Sequence, residues 1–253
     1  MSIQSLDRAF DILELIANQS SPVPLKNIAE EMGLSVSTVH NLVRTMVNRG
    51  YVEHVSARGG FTLGNQLVEL AANVPSHLQI TELVRPFVLQ LYNQSEKEST
   101  YFSTFRKDVI SPEIYIPSSY ALSVTLGADT LDKLHTSSQG KVFLAYMTES
   151  RREKYIRTHS LDRLGPNTIV DPESLRHEIV RVKELGYALN EDETELGASG
   201  IAAPLLQEDG RLLGVFAIGL PSVRMTEKKQ RLISLIKGIA EDSRRHLMMN
   251  RPV

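Results

Sequence analysis

The stretch from Pro24 to Gly60 narrows the possible folds of this chain more than any other part of the sequence. A short helix is predicted to begin after Pro24. It is predicted to end at Gly33, because glycine suits the positive φ of a helix end. A second helix is predicted over 35–48, with Ser35 as its N-cap. Two short β-like runs follow, joined by a glycine-rich turn at 57–60. This order is typical of a winged helix-turn-helix.

The second of these helices separates an apolar stripe from a polar face. The stripe predicted to be buried consists of Val36, Val39, Leu42, Val43 and Met46. The opposite face carries small polar side chains and no acid, which suits entry into a major groove about 12 Å wide. The residues predicted to contact DNA are Lys26, Ser35, Ser37, Thr38, His40, Asn41, Arg44, Arg49 and Arg58. Of these, the two at 37 and 38 are expected near phosphate, and the one at 58 at the wing tip in the minor groove.

Charge bears on this prediction in two ways. The net charge of −2 argues against an undirected nucleic-acid binder, whose affinity comes mainly from neutralising phosphates. Residues 1–75 also hold five Lys or Arg against seven Asp or Glu. Residues 33–60, however, hold three arginines against Glu53 alone, so the basic charge is concentrated where contact is predicted. A small helical domain used for protein contacts stays open as the alternative.

Length and composition bound the remaining possibilities. At roughly 100–200 residues per domain, 253 residues predict one large or two smaller domains. The absence of cysteine excludes disulfides, thiolate metal sites and cysteine nucleophiles. No apolar run approaches the roughly 18 residues that span a bilayer, and the N-terminus lacks a secretory signal pattern. A cytoplasmic protein without a membrane partner is therefore expected.

The rest of the chain indicates a second domain of mixed structure. Helices are predicted over 64–94 with a break at Pro75-Ser76, which places a domain boundary there. From Ser99 onward, hairpins alternate with helices, and one of the predicted strands is 121–126. This pattern predicts an α+β fold with an antiparallel sheet flanked by helices. The predicted domains are 1–64 for the winged helix-turn-helix, 65–79 for a linker helix and 80–253 for the second domain.

Six segments carry a resemblance to a known family. They are SLDRAFDILELIA at 5–17, LKNIAEEMGLSVSTVHNLVRTMVNRGYVE at 25–53, FTLGNQLVEL at 61–70, HTSSQGKVFLA at 135–145, GYALNEDETELGASGIAAPL at 186–205 and LGVFAIGLP at 213–221. In their order and spacing, these segments make the sequence similar to IclR-family transcriptional regulators over nearly its full length. The resemblance implies operator DNA as a partner, a GAF-like effector-binding domain at the C-terminus, and a homodimer that forms a dimer of dimers, a homotetramer.

A binding pocket is predicted in the second domain. At Ser137–Lys141 a loop enters a helix, and free amides there suit an anionic group such as a carboxylate. The positions that the resemblance assigns to the family pocket are Ala121, Val124, Ser138, Gln139, Asn190, Gly200, Ala217 and Gly219.

The sequence departs from the family pattern in this pocket. An acidic residue is frequent where Asn190 stands, and a cysteine where Gly200 stands. Serines are frequent where Ala217 and Gly219 stand. These differences predict a roomier, less polar pocket, with an effector larger than glyoxylate or pyruvate, such as a sugar acid or an aromatic or alicyclic acid. Neutral drift on a sheet face is the alternative.

No catalytic, metal or cofactor site is predicted. His135 near Ser137 and Ser138 is interpreted as a structural hydrogen-bonding residue, and Gly197–Ile201 lacks the last glycine of a nucleophile elbow. The acidic run 191–195 is interpreted as a solvated loop, because a calcium loop needs spaced ligands and a turn glycine.

The predicted function is a DNA-binding regulator, a repressor of a catabolic operon, whose operator affinity responds to a small organic acid. A small-molecule sensor or enzyme without DNA binding is the alternative, and a pure protein-interaction module is a third class.

Overall fold

The computed structural model describes residues 3–19, 21–55, 59–72 and 77–249. The chain divides into two compact units, residues 1–76 and residues 77–253. The predicted linker helix at 65–79 remains a prediction, and the predicted break at Pro75-Ser76 lies outside the described residues.

The first unit is built from four helices and a two-stranded ribbon. Its elements are α1 (Gln4–Ala17), α2 (Leu25–Met32), α3 (Val36–Asn48), β1 (Val52–Val55), β2 (Gly60–Leu63) and α4 (Gln66–Ala72). The three helices that precede the ribbon bury aliphatic side chains such as Ile12, Ile28, Val39 and Val43 in one core. The strands β1 and β2 are antiparallel, as a wing requires.

Two local features fix the turn and the wing. Gly33 ends α2 in the left-handed conformation with φ of 62°, which glycine adopts without steric strain. Ser35 then caps α3, since its Oγ accepts a hydrogen bond from the amide of Thr38 at 3.2 Å. Gly60 lies against Pro22, where a Cβ would approach the proline Cβ to 2.5 Å. The predicted winged helix-turn-helix is confirmed.

The second unit is a five-stranded antiparallel sheet with helices on both faces. Its elements are α5 (His77–Gln94), β3 (Ser99–Arg106), β4 (Val109–Ile116), α6 (Ser138–Tyr146), α7 (Glu149–Thr158), α8 (Pro172–Leu185), β5 (Ala188–Glu191), β6 (Ala198–Leu206), β7 (Leu212–Pro221) and α9 (Ser222–Met249). The strand order is β4-β3-β7-β6-β5, and every neighbouring pair is antiparallel. The predicted α+β class is confirmed.

Alternation along the central strands assigns each helix to a face. Ile201, Ala203 and Leu205 of β6 share one core with α5 and α9. Ala202 of the same strand belongs to the opposite core, which α6 and α8 complete. Because successive strand residues point to opposite faces and both are covered, β6 reads as an almost continuous apolar run.

The predicted strand at 121–126 is wrong, since this segment is an irregular loop. The loop is held by side chains instead of a sheet ladder. The amide of Leu126 donates to the hydroxyl of Tyr101 at 3.1 Å, and Arg224 of α9 donates to the carbonyl of Leu122 at 2.9 Å. Arg224 also pairs with the fully buried Glu98 and stacks over Tyr120.

Candidate nucleic-acid interface and effector pocket

The first candidate site is the open face of α3. Its exposed members among the predicted DNA contacts are Ser35, Ser37, His40, Asn41, Arg44 and Arg49, and Thr38 is half-buried. Three hydroxyls at the helix start are joined: the Oγ of Ser35 lies 2.9 Å from that of Ser37 and 2.8 Å from the Oγ1 of Thr38. The face therefore presents a preorganised hydroxyl cluster at the positive end of the helix dipole.

The basic residues near this face differ in whether they form an ion pair with an acidic residue. Among the described residues, Arg44 and Arg49 make no ion pair, so their charges remain available. Lys26 is exposed on α2 and lies 3.6 Å from Glu30, an exposed pair that is weak in water. Arg58, predicted at the wing tip, lies outside the described residues.

One residue of this face was missed by the sequence reasoning. Val36 was predicted to be buried, but it is 51% exposed. Helical spacing puts Val36 in line with Val39 and Val43, yet spacing cannot show that the first turn of α3 projects past its packing partners. An exposed valine offers an apolar surface of the kind that packs against thymine methyl groups.

The second candidate site is a cavity of about 210 Å³ between the start of α6, the loop at 123–127 and one face of the sheet. It is lined by Tyr101, Ser123, Val124, Thr125, Leu126, Gly127, Thr130, Ser137, Ser138, Gln139, Asn190, Thr194, Glu195, Ala198, Ser199, Gly200, Ala217, Ile218 and Gly219. Seven of the eight predicted pocket positions are among them. Ala121 is exposed and outside the lining. Because Arg224 holds the carbonyl of Leu122, the loop meets the cavity only from Ser123 onward.

The start of α6 is arranged to receive an anion. The Oγ of Ser137 accepts from the amide of Gly140 at 3.0 Å, and its carbonyl accepts from the amide of Lys141 at 3.0 Å. The amides of Ser138 and Gln139 make no hydrogen bond to any described residue. Two free N–H groups at a helix N-terminus favour a carboxylate.

The roomier lining remains a prediction, and at two positions the glycines leave little free space. A Cβ on Gly200 would lie 3.1 Å from the Oγ of Ser138, and one on Gly219 would lie 3.2 Å from the carbonyl of Val124. The space that each glycine leaves is thus taken by a neighbour. Hydroxyl groups also line the cavity on several sides, so the lining is not poor in polar partners.

Asn190 organises the loop at the cavity edge. Its Oδ1 accepts from the amide of Glu193 at 2.8 Å, and its Nδ2 donates to the Oγ1 of Thr194 at 2.8 Å. Thr194 donates in turn to the carbonyl of Thr136 at 2.8 Å. The asparagine therefore ties the strand end of β5 to the turn before α6.

The acidic run at 191–195 is solvated at Glu191 and Glu195, but its centre, Glu193, is buried in an ion pair. Lys141, only 1% exposed, places its Nζ 2.6 and 2.8 Å from the carboxylate oxygens of Glu193 and 3.3 Å from Glu178. Burial raises the pKa of Glu193, and the nearby ammonium opposes that shift. No sequence pattern predicts this pair, since its members are 52 positions apart. Within the described residues, no cluster of His, Cys, Asp and Glu could hold a metal.

His135 is held by two hydrogen bonds. Its Nε2 lies 3.1 Å from the carbonyl of Asp162, so this nitrogen carries the proton. Its Nδ1 then accepts from the hydroxyl of Tyr155, 3.1 Å away. Burial lowers the pKa of His135, and burial raises the pKa of Tyr155 to about 12, so both rings stay neutral near pH 7. This geometry supports the structural interpretation.

Comparison with known proteins decides the family. The model of the bacterial transcriptional regulator IclR C-terminal domain matches residues 72–245, and that of the IclR helix-turn-helix domain matches residues 5–56. The chain belongs to the IclR family of transcriptional regulators. The resemblance seen in the sequence is confirmed, and with it the reading of α2 and α3 as the DNA-binding unit of the regulator.

Relatives of this IclR-family chain cover almost all of it. The DNA-binding transcriptional repressor YiaJ of Escherichia coli is 28% identical over 242 residues, 94% of this chain and 84% of YiaJ. The glycerol operon regulatory protein of Streptomyces coelicolor is 28% identical and 97% of each chain is covered. An IclR homologue from Microbacterium hydrocarbonoxydans, solved with 4-hydroxybenzoate, superposes with a TM-score of 0.62 at 24% identity, over 97% of this chain and 100% of that one. No helix in the described ranges has the length and apolar character to cross a membrane.

Proposed function

We propose that this regulator reads its operator through the exposed face of α3 and that a small carboxylate in the cavity beside α6 changes operator affinity. The observation that carries the proposal is the pair of free amides, at Ser138 and Gln139, at the helix start that lines the cavity. At about 210 Å³ the cavity is smaller than the roughly 300–1,000 Å³ of pockets for drug-sized ligands. The effector is accordingly a small organic acid, as in the relative solved with 4-hydroxybenzoate.

The DNA contacts follow from exposure and charge on the first unit. The hydroxyls of Ser37 and Thr38 lie at the helix start, where a phosphate is proposed to bind, and Arg44 and Arg49 supply positive charge farther along. Asn41 and His40 are proposed to meet base edges, Lys26 the DNA backbone, and Arg58 the minor groove.

Dimerisation supplies the two-fold symmetry that paired half-sites need. Ile3, Leu6 and Phe10 are 66, 50 and 54% exposed on one side of α1, although all three are apolar. Val68 and Leu70 of α4 are likewise exposed. Exposed apolar side chains are proposed to mark an interaction site here, and a second copy of the chain is the proposed occupant, with a dimer of dimers on the operator.

Effector control then follows from linkage. An acid changes operator affinity only as far as it binds one arrangement of the dimer better than another. Repression of a catabolic operon in the cytoplasm is the proposed role, since the relatives include a repressor and a regulator of the glycerol operon. The chain is proposed to be a regulator and not an enzyme.

Selection of genomic DNA fragments on the purified protein, followed by gel mobility shift, tests the proposal. We expect a sequence-specific shift that acids strengthen or weaken, and an Arg44→Ala, Arg49→Ala double variant that loses it. A well-folded protein that binds acids but retards no fragment would instead fit the alternative of a sensor or enzyme without DNA binding. Binding of neither DNA nor acids would fit a protein-interaction module.

A further inference from the structure

The loop at 117–127 supplies part of the cavity lining without belonging to a helix or a strand. Its second half, residues 123–127, lines the cavity. The loop is tied near both ends: the amide of Ser119 donates to a backbone carbonyl just before β3, and the amide of Leu126 donates to the hydroxyl of Tyr101. Between these anchors another contact is needed to fix its shape, because irregular backbone that nothing holds samples many conformations.

Arg224, in the first turn of α9, supplies that contact. Its guanidinium donates to the carbonyl of Leu122 at 2.9 Å and lies over the ring of Tyr120, 4.6 Å from the ring centroid. Among the described residues, no other segment makes a hydrogen bond to residues 120–125. The middle of the loop is therefore held by one side chain from a distant helix.

The position of Arg224 is itself fixed by Glu98. This glutamate is fully buried, and its two carboxylate oxygens accept from the Nε and an Nη of Arg224 at 2.5 and 2.7 Å. A buried carboxylate must be paired, and the two-point contact sets the plane of the guanidinium. Any cation would neutralise Glu98, but the planar fork of an arginine also aims a further N–H at Leu122, which the point charge of a lysine does not reproduce.

We infer that Arg224 is a positioning residue for the effector cavity. By holding the loop at 120–125 to Glu98, it keeps residues 123–127 in place along the cavity. Arg224 is not among the described lining residues, so it acts through the loop and not by contact with the acid. This inference rests on the proposed acid-binding function, and it names a residue outside the cavity on which affinity for the acid depends.

Arg231 offers a matched control on the same helix. It lies two turns farther along α9 and also joins a glutamate, Glu96, to a backbone carbonyl, that of Gln94 at 2.7 Å. None of these three residues lines the cavity. Replacing Arg231 therefore removes the same two kinds of contact and leaves the loop at 120–125 untouched. Because Arg231 is more exposed than Arg224, thermal unfolding of each variant is measured as well.

Limited proteolysis tests the hold on the loop without any ligand. Chymotrypsin cleaves after large apolar residues, and Tyr120 and Leu122 are two such sites in the loop. The full chain is compared with Arg224→Lys, which keeps a cation beside Glu98, and with Arg231→Lys. We expect cleavage at these sites, followed by mass spectrometry, to be about tenfold faster in Arg224→Lys and within about twofold of the original rate in Arg231→Lys, because cleavage follows the population of the open loop.

Calorimetric titration tests the consequence for the acid. The probes are 4-hydroxybenzoate, benzoate, lactate and pyruvate. We expect the probe that binds the unaltered chain most tightly to bind Arg224→Lys about tenfold more weakly and Arg231→Lys within about twofold. Tyr120→Leu removes only the ring over the guanidinium and should weaken binding about threefold. Saturating probe should also slow cleavage of the loop in Arg224→Lys, because a ligand that needs the held loop stabilises it.

Several results would overturn the inference. Faster cleavage with unchanged acid affinity would show that the loop does not shape the acid site, and it would leave the proposed acid binding intact. Weaker acid binding with unchanged cleavage would show that Arg224 acts by another route. Equal losses in Arg231→Lys would reduce Arg224 to general support of α9. If Arg224→Lys does not fold, the acid affinity of Tyr120→Leu decides. No binding of any probe to the unaltered chain would contradict the proposed acid effector, and the inference with it.

Discussion

Two helix starts in this protein are built alike and surrounded differently. At α3, Ser35 caps the amide of Thr38, and at α6, Ser137 caps the amide of Gly140. Both helices therefore begin with a serine cap and with amides that favour an anion. The first turn of α3 is mostly open to solvent, whereas every residue from 137 to 145 is buried.

This difference in burial separates the two functions. The exposed start of α3 suits a long polyanion that approaches from solvent, and there the free cations Arg44 and Arg49 must supply most of the attraction. The described lining of the α6 cavity contains no Lys, Arg or His, so under the proposed function amide dipoles would carry the recognition of the acid. We expect the first interaction to depend strongly on salt and the second to depend on it weakly.

The largest expected effect concerns Lys141, which is buried near the start of α6. Lys141→Met leaves the Glu193 carboxylate without its cation, and loss of one member of a buried pair lowers the free energy of unfolding by about 3–5 kcal/mol. Chemical denaturation measures this loss. Arg151→Ala, which removes an exposed pair with Asp108, is the control and should lose less than about 1 kcal/mol.

The pH dependence of the Lys141 variant gives a second readout. A carboxyl whose folded pKa lies above the unfolded value of 4.5 holds its proton better in the folded state, so its contribution falls as the pH rises through that window. Without the ammonium this shift grows, and the variant should lose more stability at pH 8 than at pH 5. Equal losses at both values would contradict the assigned pairing.

The two serine caps test the comparison directly. Ser137→Ala leaves the buried amide of Gly140 without a hydrogen-bond acceptor, which costs about 1–3 kcal/mol. In Ser35→Ala, water can replace the cap at the exposed start of α3, and the cost is about 1 kcal/mol. Denaturant unfolding of both variants measures the difference. A larger loss for Ser35→Ala would mean that burial does not distinguish the two helix starts.

Arg44→Ala tests whether the exposed face of α3 binds DNA phosphate. If Arg44 contacts phosphate, the variant binds the operator more weakly, and the slope of affinity against salt falls by about one. Fluorescence anisotropy at several salt concentrations measures both quantities. Arg211→Ala, an exposed arginine of the β6–β7 turn, should change neither. An unaltered affinity and slope would remove Arg44 from the interface.

The smallest expected effect concerns His135 beside the cavity. Its folded pKa is lowered by burial, so the unfolded chain takes up the proton more readily and stability falls as the pH drops below 6.5. His135→Gln should remove the part of the stability loss at low pH that comes from protonation of His135, although it also loses hydrogen bonds of the ring. Denaturation midpoints between pH 5 and 8 measure the slope, and a slope unchanged in the variant would exclude His135 as its source.

Several residues show why sequence reasoning succeeded in some places and failed in others. Gly33 and Ser35 were predictable because helix ends depend on neighbouring residues alone. The strand expected at 121–126 failed because alternation of apolar residues cannot tell a sheet ladder from a loop tied by Arg224. Gly200 and Gly219 line the cavity, but the sequence could not show which atoms lie close to them, since those neighbours come from distant segments.

The sequence by itself determined the family, the winged helix-turn-helix and the start of α6, because these depend on short-range patterns of caps, turns and apolar spacing. Tertiary structure alone decided which of two similar helix starts is enclosed, that Lys141 meets Glu193, and that Arg224 meets Glu98. The physical reason is that burial and hydrogen-bond satisfaction depend on long-range packing, which brings together residues that local patterns treat as independent.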